Sequence, residues 1–347
     1  MSVYTQLTDT QFAAFCQRFG VSFVRALPIT QGIKNSNWFI QTTDDSDGDY
    51  SYVFTLFEER PPSDIEKMAV ILNQLHGTLP VAAPLALLAD GADKTESNEA
   101  YHKSHVLQYD NKAMTLVPCL AGAHPKHTTE AMCAEIGAAL ALLHESLQAL
   151  QPSEAYGVAL YPWADVRDRE MQYMPSDEAK LMRDIWQSYS KLPQESLPKG
   201  LCHLDMFADN TLWDLSFDKG QQVDAKLSGL LDFTEVSVEH YVMDIAITIN
   251  DFCTTWGDAA QGESVDFDRH KMMAFLQGYE SKRALSRDEK KALPVMLAKA
   301  AVIFWLLRLN VIYYNRTEGR TGDNIMVKNP DLMKRLAAYH WAHVEKS

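Results

Sequence analysis

The sequence carries no excess of positive charge: 32 Lys and Arg stand against 46 Asp and Glu, a formal charge of -14. That argues against general nucleic-acid binding, which needs a basic field facing the phosphate backbone. A local basic pocket for a small anion stays open. Cysteine is sparse too. Cys16, Cys119, Cys133, Cys202 and Cys253 are dispersed, odd in number and without paired ligand spacing, so free buried thiols are expected and neither a disulfide frame nor a zinc cluster. The most apolar run, Ala298 to Leu309, is shorter than a membrane span and contains Lys299 and Arg308; it reads as a buried helix. Met1-Ser2-Val3-Tyr4 has neither the basic start nor the apolar core of a secretory signal. A cytoplasmic protein with no membrane or nucleic-acid partner is the expectation. GxxxxGK[ST] and GxGxxG phosphate loops are both missing.

What is present is a globular balance, 46% hydrophobic and 22% charged over 347 residues, long enough for two lobes. Phe12, Phe15 and Phe19 give the segment from Thr10 to Phe19 one aromatic side, as in a short amphipathic helix. Phe23 to Leu27, Trp38 to Ile40 and Tyr50 to Leu56 are rich in aromatic and β-branched residues, with a polar turn at Asp44 to Asp49. They predict an antiparallel ribbon. Asp64 to Leu75 predicts a helix. His105 to Tyr109 and Ala113 to Pro118 predict a hairpin turned at Asp110-Asn111, preceded by a polar loop over Asp90 to Glu99. After Leu120-Ala121-Gly122 the composition turns helical, with helices expected at His127 to Leu147, Ala179 to Tyr189, His240 to Trp256, Arg269 to Tyr279, Lys291 to Tyr314 and Met333 to Ala342. Only Leu212-Trp213 and Leu227 to Leu231 look like strands there. The fold class is therefore α+β, with residues 1–120 as a small, mainly antiparallel β lobe and residues 121–347 as a large helical lobe.

The two strands interrupt the helical region around the chemically richest residues. His203-Leu204-Asp205-Met206-Phe207-Ala208-Asp209-Asn210 is followed by Leu230-Leu231-Asp232-Phe233. Phosphoryl transfer needs a carboxylate that accepts the proton of the attacking hydroxyl, for which Asp205 is the candidate. Asn210 and Asp232 offer the hard oxygen atoms that Mg²⁺ takes, and no soft zinc set. His203 is assigned loop support, with a role as base the alternative. Asp209 either meets the substrate or caps local structure. Asp244 is assigned to support, either as a helix cap or on a loop backbone. Gln31-Gly32-Ile33-Lys34-Asn35-Ser36-Asn37 is a weak phosphate-holding candidate: Gly32 allows a tight turn, and backbone donors and the Ser36 hydroxyl can approach phosphate oxygens. Lys34 either contacts phosphate or is a surface lysine.

Those segments, with Tyr52 to Glu58, Asp244 to Cys253 and Phe304 to Leu309, resemble the bacterial homoserine kinases of the aminoglycoside-phosphotransferase-like superfamily, over most of the chain. The resemblance implies a protein-kinase-like two-lobed fold. It implies ATP binding by Gly32, Lys34, Asn35 and Ser36, with Pro118, Cys119 and Leu120 near the hinge. It implies Asp205 as catalytic residue, Mg²⁺ on Asn210 and Asp232, and transfer of the terminal phosphoryl group to the side-chain hydroxyl of L-homoserine, a step toward threonine. A zwitterionic substrate calls for both signs of charge. Asp209 or Asp251 would meet the ammonium, Arg308 the carboxylate, and Trp305 either walls the pocket or packs its helix. A monomer or a weak homodimer is compatible. One departure stands out: Thr55 occupies the strand position where related kinases carry Lys or Arg, leaving Lys34, Lys67 or Arg60 as other sources of charge. A kinase for another small alcohol, such as choline, an amino sugar or methylthioribose, is the alternative, and a non-enzymatic binding protein a more distant one.

Overall fold

The computed structural model describes residues 5–29, 35–88, 104–150, 163–218, 221–257, 265–317 and 328–345. The chain divides into two compact units, Met1–Ala121 with Gly229–Thr234, and Gly122–Ser228 with Glu235–Ser347.

The first unit opens with α1 (Asp9–Arg18), whose N-terminus is closed by Thr8 and Gln11 in a reciprocal capping box. β1 (Phe23–Ile29), β2 (Asn35–Thr42) and β3 (Tyr52–Phe57) follow, then α2 (Pro62–Leu75) and the hairpin β4 (Leu107–Tyr109) and β5 (Lys112–Pro118). Together they form one antiparallel sheet in the order β1-β2-β3-β5-β4. The β4–β5 turn is tight because Asp110 and Asn111 both adopt left-handed backbone, with φ of 50° and 59°. Asn and Asp tolerate this better than other residues, which makes that pair a hairpin signal.

Alternation places Trp38 and Ile40, Phe54 and Leu56, and Met114 and Leu116 on one face, where Phe12, Cys16 and Phe19 of α1 cover them. Phe12 meets Trp38 edge-on, ring centroids 5.1 Å apart. The other face carries Asn37, Thr55 and Thr115 in register across three strands. Ile65 of α2 covers only the Phe57 and Ala113 end of it.

In the second unit α3 (Glu130–Leu147) and α4 (Trp163–Met171) precede α5 (Ser176–Ser190) and strand β6 (Lys199–Cys202). A hairpin of β7 (Thr211–Asp218) and β8 (Gln221–Leu230) leads to β9 (Ser237–His240), which pairs antiparallel with β6. Then come α6 (Tyr241–Phe252), β10 (Thr254–Trp256), β11 (Val265–Phe267), α7 (Arg269–Glu280), α8 (Arg287–Thr317) and α9 (Pro330–Val344). α3 and α7 cross at backbone contact. A Cβ on Gly137 would fall 2.2 Å from the Phe275 carbonyl oxygen, and one on Gly278 1.9 Å from that of Ala134. No side chain fits at either position.

Ala298, Ala301, Val302, Trp305 and Leu306 on α8 share a core with Met182 and Ile185 of α5 and with Met333, Leu336 and Ala337 of α9. By length and composition Arg287–Tyr313 is long and apolar enough to cross a membrane, but most of its apolar window is buried inside the unit. The helix expected over Lys291 to Tyr314 is thus present and buried as read, while its apolar part extends beyond the short run from Ala298 to Leu309. The ammonium of the buried Lys299 lies over the Trp186 ring, 2.9 Å from the centroid.

Several elements differ from the sequence expectation. The helix predicted to reach Trp256 ends at Phe252, and Thr254-Thr255-Trp256 pairs with β11 instead; two β-branched residues and an aromatic favour the strand. α4, β6, β9 and β11 were not anticipated, being short and without clear periodicity. The loop from Asp90 to Glu99 lies outside the described residues.

Candidate active site

The loop joining β6 to β7 holds Asp205, and its shape is imposed from α6. Asp244, fully buried, accepts the backbone N–H groups of His203 and Leu204, each at 2.8 Å. Leu204 is forced into left-handed backbone, φ 63°, which costs a bulky residue roughly 1–3 kcal/mol. The paired carboxylate bonds offset that strain. Asp244 also accepts from His144 Nε2 at 2.9 Å, while His144 Nδ1 lies 2.7 Å from the Tyr279 hydroxyl. Arg283 donates to that same hydroxyl and to the buried Glu289. Burial alone would raise the Asp244 carboxyl; hydrogen bonds and nearby His charges outweigh it and hold it below the usual carboxylate range.

His144, Cys202 and Asp244 have ligand atoms within 4.8 Å of one another. Both Asp244 oxygens and both His144 nitrogens are already committed to hydrogen bonds. The cluster is a buried lock on the loop. Asp244 thus binds loop backbone and does not cap α6.

Further along, Asp205 N–H donates to His203 Nδ1 at 3.2 Å, so the histidine supports the turn. Asn210 Nδ2 donates to the Asp205 carbonyl at 2.7 Å and to Asp205 Oδ2 at 3.0 Å. In that orientation the amide oxygen of Asn210 has no hydrogen bond among the described residues. The sequence spacing of Asp205 and Asn210 is therefore realised as direct side-chain contact across a turn that ends in the 3-10 segment Ala208–Asn210.

Asp251, two turns after Asp244 on α6, grips the far end of the same loop by accepting Ala208 N–H at 2.7 Å. Burial pushes its carboxyl up to about 6, with Asp209 adding to the rise and Ala208, Lys328 and Trp256 opposing it. Arg308 on α8 feels both Asp251 and Asp209; burial brings its guanidinium down to about 10 against their attraction. It donates to the Asn329 carbonyl at 2.7 Å. Lys328, which the sequence reading missed, donates to Asp209 Oδ2 at 3.0 Å. Phe207 and Phe304, also missed, tilt against one another at 4.7 Å beside this group. The α8 register was the available signal, since Phe304 and Arg308 stand one turn apart on it. Trp305 is 1% exposed and packs in the α8 core.

In the first unit Asp232 is exposed with φ 54°, a left-handed position that Asp adopts more readily than most residues. Its Oδ1 accepts the Thr234 hydroxyl and N–H. Oδ2 carries no hydrogen bond among the described residues. Ser36, buried on β2, donates its hydroxyl to Glu58, which also accepts from Thr5 and Lys112. Burial would raise Glu58, but Lys112, Ser36 and Thr5 together lower it. Asn35 opens β2 opposite Phe57.

Pro118 ends β5, and Cys119 N–H donates to the Ser51 carbonyl at 2.8 Å, with Leu120 directly after it. Burial, with Asp45 adding, pushes the Cys119 thiol up to about 11. Gly32 and Lys34 lie outside the described residues. Thr55 donates to Asn37 Oδ1 at 2.8 Å. Of the nearby charges, Lys67 pairs with Asp64 at 3.5 Å and Glu66 accepts the Ser104 hydroxyl.

The chain and its architecture have known counterparts. The phosphotransferase enzyme family matches residues 25–284. A homoserine kinase of Gluconacetobacter diazotrophicus is 30% identical over 346 residues, covering 97% of this chain and 96% of its own. One from Neisseria meningitidis is 28% identical, covering 97% and 98%. Among solved structures, a microcompartment-associated aminopropanol kinase aligns with a TM-score of 0.62 at 18% identity over 97% of both chains. An amicoumacin kinase in complex with AMP-PNP aligns with a TM-score of 0.59 at 15% identity, over 98% of this chain and 94% of its own. At such identities these two establish the fold alone. The sequence matches go further: at near full length they show that this chain, with its Asp205–Asn210 loop held from α6, belongs to the phosphotransferase enzyme family, in its homoserine-kinase-like branch.

Proposed function

We propose that the chain is a homoserine kinase, transferring the γ-phosphoryl group of ATP to the side-chain hydroxyl of L-homoserine to give O-phospho-L-homoserine and ADP. The observation that carries the reading is near full-length similarity to relatives of that name. Site chemistry supports it. Asp205 accepts the hydroxyl proton as the new P–O bond forms, and Asn210 holds that carboxylate in place. Asp209 and Asp251 offer negative charge for an ammonium, and Arg308 a fork for a carboxylate. The γ-phosphoryl group passes to the substrate oxygen while ADP leaves.

Mg²⁺ is the metal this reaction takes, and the donors fit it. The amide oxygen of Asn210 and Oδ2 of Asp232, neither hydrogen-bonded among the described residues, are hard, small and suited to an ion that keeps several waters. When bound, the ion offsets the charge of the phosphate oxygens. Nucleotide contacts are assigned to Gly32, Lys34, Asn35, Ser36, Pro118, Cys119 and Leu120, with residues 1–120 as the nucleotide-binding lobe and 121–347 as the catalytic one. Ser36 would act through backbone, since its hydroxyl is given to Glu58. The reading carries a cytoplasmic location, a monomer or weak homodimer, and a place in threonine biosynthesis.

An acceptor panel tests it. With ATP and Mg²⁺, L-homoserine should yield phosphohomoserine, detected by mass spectrometry, in preference to choline, amino sugars and methylthioribose. Phosphorylation of another alcohol with none on homoserine would reject the acceptor. Asp232→Asn, which keeps the size and tolerates left-handed backbone, should raise the Mg²⁺ concentration for half-maximal rate by roughly tenfold or more, as expected when an anionic ligand is lost. An unchanged metal titration would remove Asp232 from the ligand set.

A further inference from the structure

Lys328 stands just before α9, and its neighbour Asn329 is held by Arg308 through the carbonyl. Its Nζ lies 3.0 Å from Asp209 Oδ2 and 5.8 Å from the centre of the Phe207 ring. The side chains of Lys328 and Asp209 are 47% and 60% exposed. An ion pair this open is worth only about 0–1 kcal/mol, so it separates easily. Without substrate, then, a protein ammonium rests on the carboxylate that a substrate ammonium would use. The pair is cheap to open and already of the right sign at both ends.

An α-amino acid bears its ammonium and carboxylate on a single carbon. Placed between Asp209 and Lys328 it replaces one charge pair with two, the ammonium on Asp209 and the carboxylate on Lys328. Arg308 adds a second cation on the carboxylate side, and the Phe207–Phe304 pair an apolar wall for the methylene chain. An amine without the carboxylate gains nothing from Lys328 and must still displace it. A hydroxy acid without the ammonium faces Asp209 as a like charge. We propose that the Asp209–Lys328 ion pair is an opening clamp that selects zwitterionic acceptors, with Lys328 exchanging Asp209 for the substrate carboxylate. The proposal rests on the homoserine reading and deepens it by naming the group that separates amino-acid alcohols from simple ones.

The test uses the full chain with saturating ATP and three acceptors: L-homoserine, 3-amino-1-propanol, which lacks the carboxylate, and 4-hydroxybutanoate, which lacks the ammonium. Lys328→Met should raise KM for L-homoserine roughly tenfold, the size of one charge-assisted contact, with kcat within about twofold. KM for 3-amino-1-propanol should stay or fall, so the preference between the two narrows by about the same tenfold. Lys328→Arg should keep most of the wild-type preference, and calorimetric titration of L-homoserine should follow the KM values. An active wild type whose preference is unchanged in Lys328→Met overturns the clamp alone, as does an equal loss of kcat on every acceptor. A folded wild type inactive on L-homoserine overturns both the clamp and the assigned acceptor.

Discussion

Asp205→Asn is expected to lower kcat by roughly 10²–10⁴-fold, the range over which a positioned proton acceptor acts, while KM for both substrates and the thermal midpoint change little. The amide matches the carboxylate in size. It keeps an oxygen for Asn210 Nδ2, and the Asp205 N–H and carbonyl keep their bonds to His203 and Asn210. What disappears is the capacity to take a proton while the phosphoryl group arrives. Single-turnover formation of phosphohomoserine, followed by mass spectrometry, measures this step without product release. A rate within threefold of wild type would deny Asp205 the role.

Asp244→Ala should be the most damaging substitution for the fold, by about 3–5 kcal/mol. It strips an acceptor from the buried N–H of His203, the half-buried N–H of Leu204 and His144 Nε2, and an unmet buried donor costs about 1–3 kcal/mol. It also releases Leu204 from its left-handed backbone. Because nearby partners hold the Asp244 carboxyl below its unfolded value, the stability it supplies is fully present above the unfolded pKa. That stability is lost as pH falls through the folded one. Urea unfolding of wild type and variant between about pH 3 and 7 should therefore show the gap widest near neutrality and narrowing in acid. A gap under 1 kcal/mol at pH 7, or one independent of pH, would count against the network as a structural lock.

The legible parts of the molecule were those with local signals. Aromatic alternation marked β2 and β3, Asp110-Asn111 marked the β4–β5 turn, and helical spacing marked α1, α2 and α3. Asp205, Asn210 and Asp232 stood out because their side chains suit one chemistry and lie near each other in sequence. Illegible were the contacts made at long separation. His144 reaches Asp244 from a hundred positions away, and Lys328 reaches Asp209 from 119; nothing local in either segment announces its partner. Asp251 was read as a charge for substrate, and its bond to Ala208 N–H adds a second task that only the folded loop reveals.

Asp244 and Asp251 hold the two ends of one loop from one face of α6, about 10.5 Å apart along its axis at 1.5 Å per residue. The helix therefore sets how many residues the loop can contain. Deleting or inserting one residue between the two aspartates would turn the second by about 100°, and no rotamer would bring it back to Ala208. A change in the length of the loop would have to be matched by a whole turn in the helix. A deletion or insertion on this stretch of chain would therefore break the loop's hold at one end, and its count of residues is as much a part of the grip as the two carboxylates.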